Sequence, residues 1–251
     1  MTGTVLTEGL GAGVRKISLN RPERLNAIVP ALLEDLIAAI ATADRDPDTR
    51  AIVLSGEGRA FCAGDDLKDF AAQIADPATT AAYVERIQDV TRAILFGDTP
   101  VVGAIRGWAV GGGLEWMINC DFAIAAEGSR FFFPEVSWGL FVTGGVTHLL
   151  PRLIGLQRAR ALILLGERFD ARQALDWGLL HAVVPDEALL AEATALAQHL
   201  AALPPGPVKA LRRTLAGREG EGLDAAMAAE SRATVEGFLD PETAKRIAGF
   251  G

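Results

Sequence analysis

Cysteine is scarce in this chain, with two residues among 251, and two thiols cannot build a disulfide framework. Long apolar runs are missing as well. Gly, Asp, Glu and Arg break every stretch short of the ~18 residues that a membrane helix needs. Met1–Lys16 has neither a basic n-region nor a long apolar core, so no secretory leader is expected. Excess positive charge is also lacking. Lys and Arg number 24 against 32 Asp and Glu, a formal charge of −8, whereas nucleic-acid proteins more often carry a basic face. These absences predict a cytoplasmic protein acting on a small molecule, with neither nucleic acid nor membrane as partner. Half of the residues are apolar, too many for disorder, and the length allows one or two domains with a sizeable core.

Short β-branched runs stand at Val14–Leu19, Ala51–Ser55, Val101–Ile105, Phe122–Ala125 and Ala182–Val184. Helical patterns separate them. Ala31–Ala43 places Leu32, Leu33, Leu36, Ile37 and Ile40 on one face, and Thr79–Phe96 is a longer helical candidate. From Leu153 onward helices dominate, over 157–166, 171–177, 187–202, 206–215 and 222–238. Pro204-Pro205-Gly206 breaks two of them. This pattern predicts an α/β core followed by a helical region. The apolar faces of the late helices have two possible partners, their own core or another subunit.

Two glycine-bearing segments carry the chemistry. Gly107-Trp108-Ala109-Val110-Gly111-Gly112-Gly113-Leu114-Glu115 follows a strand and leads into an apolar segment with helical potential. Three consecutive glycines are a poor way to begin a helix unless the backbone must approach something closely. The unpaired N–H groups of a first helical turn favour negative charge. A dinucleotide loop would need glycine at position 116, where Trp116 stands, and no Walker lysine motif occurs. Gly9–Gly13 reads as a hairpin turn. The second segment, Gly58-Arg59-Ala60-Phe61-Cys62-Ala63-Gly64-Asp65-Asp66-Leu67, also leaves its backbone accessible. Its acids suit helix capping when taken alone.

In order and spacing, these segments resemble the crotonase superfamily, the enoyl-CoA hydratase/isomerase family. Arg21-Pro22-Glu23-Arg24-Leu25-Asn26-Ala27, Pro134-Glu135-Val136, Gly166–Ala171, Gly178-Leu179-Leu180 and Val183-Val184-Pro185 extend the match along nearly the whole chain. The resemblance implies a crotonase-like spiral of repeated β-β-α units over 1–195. It implies a helical C-terminal region over 196–251 for trimerisation, in a homotrimer or homohexamer. It also implies an acyl-CoA substrate, with CoA belonging to the substrate and neither cofactor nor metal required. The two oxyanion-hole donors fall on the backbone N–H groups of Asp65 and Gly112. Loss of one such donor typically costs about 10²–10³ in rate. The acid at 65 departs from the small residue common there, so its carboxylate must point away or be neutralised. CoA-contacting positions fall on Arg24, Leu25, Ala27, Arg59, Ala63, Leu67, Trp108 and Leu140.

Glu115 lies three residues beyond Gly112, and helical side chains lean toward the N-terminus, so its carboxylate returns toward the same donors. A first-turn dipole contact is the plainer reading, yet the residues that follow are mostly apolar. Glu135 follows Phe131-Phe132-Phe133-Pro134, where an apolar wall would raise its pKa. The resemblance makes these two the catalytic acids of a hydratase adding water syn across a trans-2-enoyl-CoA. Isomerases of the family commonly keep only the second acid. Double-bond isomerisation and non-catalytic acyl-CoA binding are the competing readings. Cys62 reads as small packing, and His148, His181 and His199 are too scattered for a ligand set. Lys209, Arg212 and Arg213 are either a nucleotide contact or a solvated face. The loop Phe141-Val142-Thr143-Gly144-Gly145 departs from the family where many hydratases have proline and a small residue, and it is expected to reshape the acyl site.

Overall fold

A computed structural model describes residues 3–69, 76–215 and 221–248. Residues 216–220 and 249–251 of the expected assembly region therefore lie outside the described residues. Strands β1 (Val5–Gly11) and β2 (Val14–Leu19) form an antiparallel hairpin. Its turn takes positive φ at Gly11, Ala12 and Gly13, within the segment that reads as a turn. Strands β3 (Ala51–Gly56), β4 (Val101–Ile105), β6 (Phe122–Ala126) and β9 (Ala182–Val184) extend β2 in parallel, in the order β1-β2-β3-β4-β6-β9. A smaller sheet holds β5 (Trp108–Val110), β7 (Arg130–Phe132) and β8 (Phe169–Asp170), in that order.

The two sheets arise from one repeated unit. β4 leads to β5 and then α3 (Gly112–Asn119), and β6 leads to β7 and then α4 (Glu135–Trp138). Earlier turns replace the second strand by a single bridging residue. Ile28 precedes α1 (Pro30–Arg45) and pairs with Asp65, while Cys62, upstream of α2 (Pro77–Phe96), pairs with Ala109 of β5. The bridges and the β5–β7 pair are all parallel. Successive units thus stack and bring the segments after Cys62 and after β5 side by side.

Local chemistry supports each element. Pro30 opens α1, where its missing N–H costs nothing, and Leu32, Leu33, Leu36, Ile40 and Ala43 form its buried face. Asp76 caps α2 by accepting from the N–H groups of Ala78 and Thr79 at 2.9 and 3.0 Å. The other face of the large sheet is covered by α8 (Leu189–Ala202), whose Leu189, Ala193, Ala197 and Ala201 recur every fourth residue. They pack on Ala51, Val53, Val102, Ala104 and Ile124, small enough for close helix–sheet approach. The expected boundary between residues 195 and 196 falls inside this helix.

The remaining helices are α5 (Val146–Ile154), α6 (Leu156–Leu165), α7 (Ala171–Asp176), α9 (Pro205–Leu215), α10 (Glu221–Leu239) and α11 (Pro241–Ala248). Helix α10 packs on α2 and α5 of its own chain. It buries Leu223, Met227, Glu230, Thr234 and Phe238, spaced four, three, four and four residues apart. Of the basic cluster on α9, Arg212 proves to be a fold contact, while Lys209 and Arg213 stay exposed. Arg212 is buried, and its Nε donates to both oxygens of Asp121 at 2.7 and 2.9 Å. Its other nitrogens donate to the carbonyls of Gly97 and Ile94. Lys209 and Arg213 pair with Asp98 at 3.5 and 2.6 Å. Arg212 is therefore neither solvated nor open to a nucleotide, because the end of α2 and Asp121 take its donors.

Candidate active site

Asp65, Gly112, Glu115 and Glu135 line one narrow cavity, together with Ile28, Ile87, Leu140, Phe141, Thr143, Thr234 and Phe238. Its free volume is about 20 Å³, room for about one water. Backbone geometry brings the four polar residues there. Gly112 is the first residue of α3, where N–H groups have no intrahelical acceptor. Gly111 before it has φ 52° and ψ −124°, a region that favours glycine. A Cβ at Gly111 would stand 2.4 Å from Glu135 Oε1, so only glycine lets that carboxyl lie against the start of α3. Neither the Asp65 nor the Gly112 amide donates to a backbone acceptor outside the regular elements, among the described residues.

The Asp65 segment is locked from below. Asn26 is fully buried in a left-handed conformation (φ 56°). Its Oδ1 accepts from the Arg21 N–H at 2.8 Å, and its Nδ2 donates to the Glu57 and Ala60 carbonyls at 3.0 and 2.8 Å. Arg21 donates to the Ala27 carbonyl and to Asp66, while Arg24 also pairs with Asp66 at 3.1 Å. Asp66 is buried and takes both guanidinium groups. The Ile28 N–H donates to the Gly64 carbonyl, and the Asp66 N–H donates to the Ile28 carbonyl, at 2.8 and 2.9 Å. The motif over 21–27 thereby fixes the loop that carries the Asp65 amide.

Of the positions expected to contact CoA, Leu140 is in the cavity wall. Ala27 is buried, Ala63 and Leu67 are half-buried, and Leu25 takes φ 51° beside Asn26. Arg59 is exposed, and Trp108 is 37% exposed with its ring edge-on to Phe132. Arg24 is 34% exposed in its side chain while paired with Asp66. Burial pushes the Cys62 thiol up to about 12, so this thiol is held un-ionised. Among the described residues, no group of three or more His, Cys, Asp or Glu side chains could hold a metal ion. Likewise no helix among them is long and apolar enough to cross a membrane.

The two glutamates have opposite surroundings. Glu115 is 1% exposed. Its Oε1 accepts from the Thr143 N–H at 2.7 Å and its Oε2 from the Thr143 hydroxyl at 2.5 Å. Burial raises its pKa to about 8, against the two Thr143 bonds, with the charges of Glu230 and Asp65 adding to the rise. Glu135 has less such help: its own backbone N–H lowers its pKa, but its Oε2 is shut off from solvent and has no hydrogen-bond partner. Burial, then the charge of Glu115, raises its pKa well above the usual carboxylate range. When two close acids share one environment, the proton stays on the one with fewer donors. When one of the pair ionises as pH rises, the charge therefore falls on Glu115 and the proton stays on Glu135.

Three residues in this arrangement carry no motif of their own in the sequence. Glu230 is fully buried, and its carboxylate accepts from the Gly145 N–H, the Thr147 N–H and the Thr147 hydroxyl at 2.8, 2.8 and 2.5 Å. Gln88 of α2 accepts from the Gly144 N–H at 3.2 Å and donates to the Met227 carbonyl at 3.1 Å. Tyr83 donates its hydroxyl to Asp65 Oδ1 at 2.7 Å. An acid inside the apolar stripe of α10 is the one sequence signal that could have marked Glu230.

A profile of the enoyl-CoA hydratase/isomerase family matches residues 9–249. The chain belongs to this family. The 1,2-epoxyphenylacetyl-CoA isomerase of Escherichia coli (strain K12) is 36% identical over 214 residues, covering 84% of this chain and 82% of that protein. The mevalonyl-coenzyme A hydratase SIDH of Beauveria bassiana (strain ARSEF 2860) is 35% identical over 208 residues, covering 80% and 74%. The crystal structure of an enoyl-CoA hydratase/isomerase from Mycobacterium paratuberculosis superposes with a TM-score of 0.91 at 29% identity, covering 99% and 98% of the two chains. The two sheets and the helical C-terminal region are thus those of the crotonase fold.

Proposed function

We propose that this protein is an enoyl-CoA hydratase, adding water reversibly and syn to a trans-2-enoyl-CoA to give a 3-hydroxyacyl-CoA. The observation that carries the reading is the shared cavity of Glu115, Glu135 and the two backbone positions Asp65 and Gly112. In this mechanism the amides of Asp65 and Gly112 hold the thioester oxygen. Glu115 takes a proton from water as the water oxygen bonds to C3. The π electrons of C2=C3 move through C2 onto the thioester oxygen as an enolate. Protonated Glu135 then gives its proton to C2, and the carbonyl re-forms. Charge develops where N–H donors are preorganised, which favours the transition state over the substrate. No electrons leave the system, so the reaction needs no cofactor beyond the CoA of its substrate.

The opposed surroundings of the two glutamates support a base and an acid in one site. Because the family is one of enoyl-CoA hydratases and isomerases, movement of the double bond without water is the reading to test against. Supplying 2-enoyl-CoA and 3-enoyl-CoA separately, with product mass as readout, distinguishes them. Hydration adds one water to the 2-enoyl ester, and Glu115→Gln lowers that rate about a hundredfold or more. A Glu115→Gln variant that hydrates at nearly the wild-type rate refutes the role of Glu115. Assembly as a homotrimer or homohexamer in the cytoplasm completes the proposal. The exposed Leu153, Leu156, Leu164 and Leu165 on α5 and α6 would be covered in such an assembly, and light scattering gives the mass.

A further inference from the structure

Asp65 brings a third carboxyl close enough to the cavity's two glutamates for its charge to raise the pKa of both, while the proposed chemistry uses only those two. Asp65 is among the residues that line the cavity, whose apolar members include Ile87, Leu140, Phe141 and Phe238. One oxygen of Asp65 accepts the Tyr83 hydroxyl at 2.7 Å. The tyrosine is held in turn, because its ring packs edge-on against Phe238 of α10 with centroids 6.0 Å apart. The carboxyl is thus pinned from α2 through a ring that packs against α10. Its second oxygen, Oδ2, has no hydrogen-bond partner among the described residues. Glu135 Oε2 is also unpartnered in the same cavity. Asp65 is half-buried, and a saturated hydrocarbon tail that covered this oxygen is disfavoured because it would leave the oxygen unpaired. A donor on the acyl chain would satisfy it.

We propose that the Asp65 carboxyl, anchored by Tyr83, selects acyl-CoA thioesters that carry a hydroxyl on the acyl chain just beyond the reacting double bond. This rests on the hydratase reading for the pose, since the Asp65 amide on the thioester oxygen sets how far its own side chain reaches. The carboxyl carbon is three bonds from that amide nitrogen, so the group it grips lies within a few ångströms of the thioester. C2 and C3 face Glu115 and Glu135, which leaves C4 as the first carbon whose hydroxyl is free for Asp65. Sites built to bond a substrate hydroxyl reject the analogue without it far more strongly than apolar pockets reject an added group.

The test compares crotonyl-CoA with trans-4-hydroxybut-2-enoyl-CoA, which differ by one hydroxyl, on the wild-type protein, Asp65→Ala and Tyr83→Phe. Product mass and kcat/KM are measured for each pair. If no water is added to either ester, both serve as inert ligands and calorimetry supplies the ratio of their dissociation constants. The wild-type protein favours the hydroxylated ester about tenfold or more. Asp65→Ala brings the ratio to within about twofold of unity, and Tyr83→Phe, which leaves the carboxyl in place but unanchored, lowers it severalfold. A wild-type ratio near unity, or a ratio that survives Asp65→Ala, overturns the proposal. Should Asp65→Ala fail to fold, as judged by its thermal melt, a Tyr83→Phe variant with an unchanged ratio overturns it equally. Hydration without discrimination removes this proposal and leaves the hydratase reading; discrimination in binding without hydration does the reverse.

Discussion

Thr143 gives Glu115 two hydrogen bonds, and removing one of them has a calculable effect on the pH dependence of hydration. In Thr143→Ala the backbone N–H remains on Oε1, while the 2.5 Å hydroxyl contact to Oε2 is lost. A hydrogen bond to a charged group is worth about 1.5–3 kcal/mol. At about 1.4 kcal/mol per pKa unit, losing it raises the Glu115 pKa by ~1–2 units from its value of about 8. The sign follows from the role. A general base works only when ionised, so kcat/KM rises with pH through the base's pKa, and a raised pKa moves that limb to higher pH. Near neutral pH the ionised fraction, and with it kcat/KM, falls about 10–100-fold, and the deficit narrows as pH increases. Stopped-flow absorbance at the enoyl thioester band, taken across pH with crotonyl-CoA, measures the limb. Thr143→Ser keeps the hydroxyl and leaves the limb where it was. A limb that stays put in Thr143→Ala, or moves to lower pH, refutes the assignment of the charge to Glu115.

Two further outcomes follow from buried contacts. Glu230→Ala leaves the Gly145 and Thr147 N–H groups and the Thr147 hydroxyl without their acceptor. Stability falls by about 3 kcal/mol in urea unfolding, and kcat falls more than KM rises, because the loop holding Thr143 loosens. Arg212→Ala, which breaks the pair with Asp121 and frees the Gly97 and Ile94 carbonyls, costs about 3–5 kcal/mol of stability while the KM for acyl-CoA stays unchanged. A stable Arg212→Ala with a raised KM would return that arginine to the nucleotide.

The strand and helix periods made the architecture readable. The five β-branched runs became the parallel strands of the large sheet, and the long helices fell within two residues of their expected ends. Strands β5, β7 and β8 are two or three residues long, too short for an alternation pattern to register. In the site, the family resemblance named Gly112, Glu115 and Glu135, with the glycine run before a helix and the apolar neighbours of the two acids in agreement. What stayed illegible was contact across long separations. Tyr83 lies 18 residues from Asp65, and Glu230 lies 83 from Thr147. Nothing local in either segment encodes its partner. Thr143 was flagged only as a departure in its loop, and its role needed the fold, because 28 residues separate it from Glu115. On α9 the solvated face holds for Lys209 and Arg213, which stay exposed while paired with Asp98, and fails for Arg212, whose partner Asp121 lies 91 residues away.

The longest of these contacts tie the chemistry to the end of the chain. Helix α5 begins after Gly144 and Gly145, both at positive φ, so no side chain of its own loop caps it. Glu230 of α10 acts as that cap from outside, taking the N–H groups of Gly145 and Thr147. Gln88 holds the neighbouring Gly144 N–H, and Asn119 of α3 donates to the Gly144 carbonyl at 2.8 Å. Gly144 cannot be larger, since its Cβ would stand 2.7 Å from Glu115 Cβ. The loop is therefore gripped by α2, α3 and α10 at once, and Thr143, next in line, meets Glu115 with both its donors. Glu230 has its own pKa raised to about 7, chiefly by burial and against the donors of Thr147, Gly145 and Gln88. For an acid raised above its unfolded value, the folded state is favoured while the group is protonated and loses that advantage as pH climbs through about 7. That loss occurs between the ordinary carboxylate range and about 7, below the pH at which Glu115, raised to about 8, ionises, so the stability that Glu230 contributes falls before the base is switched on.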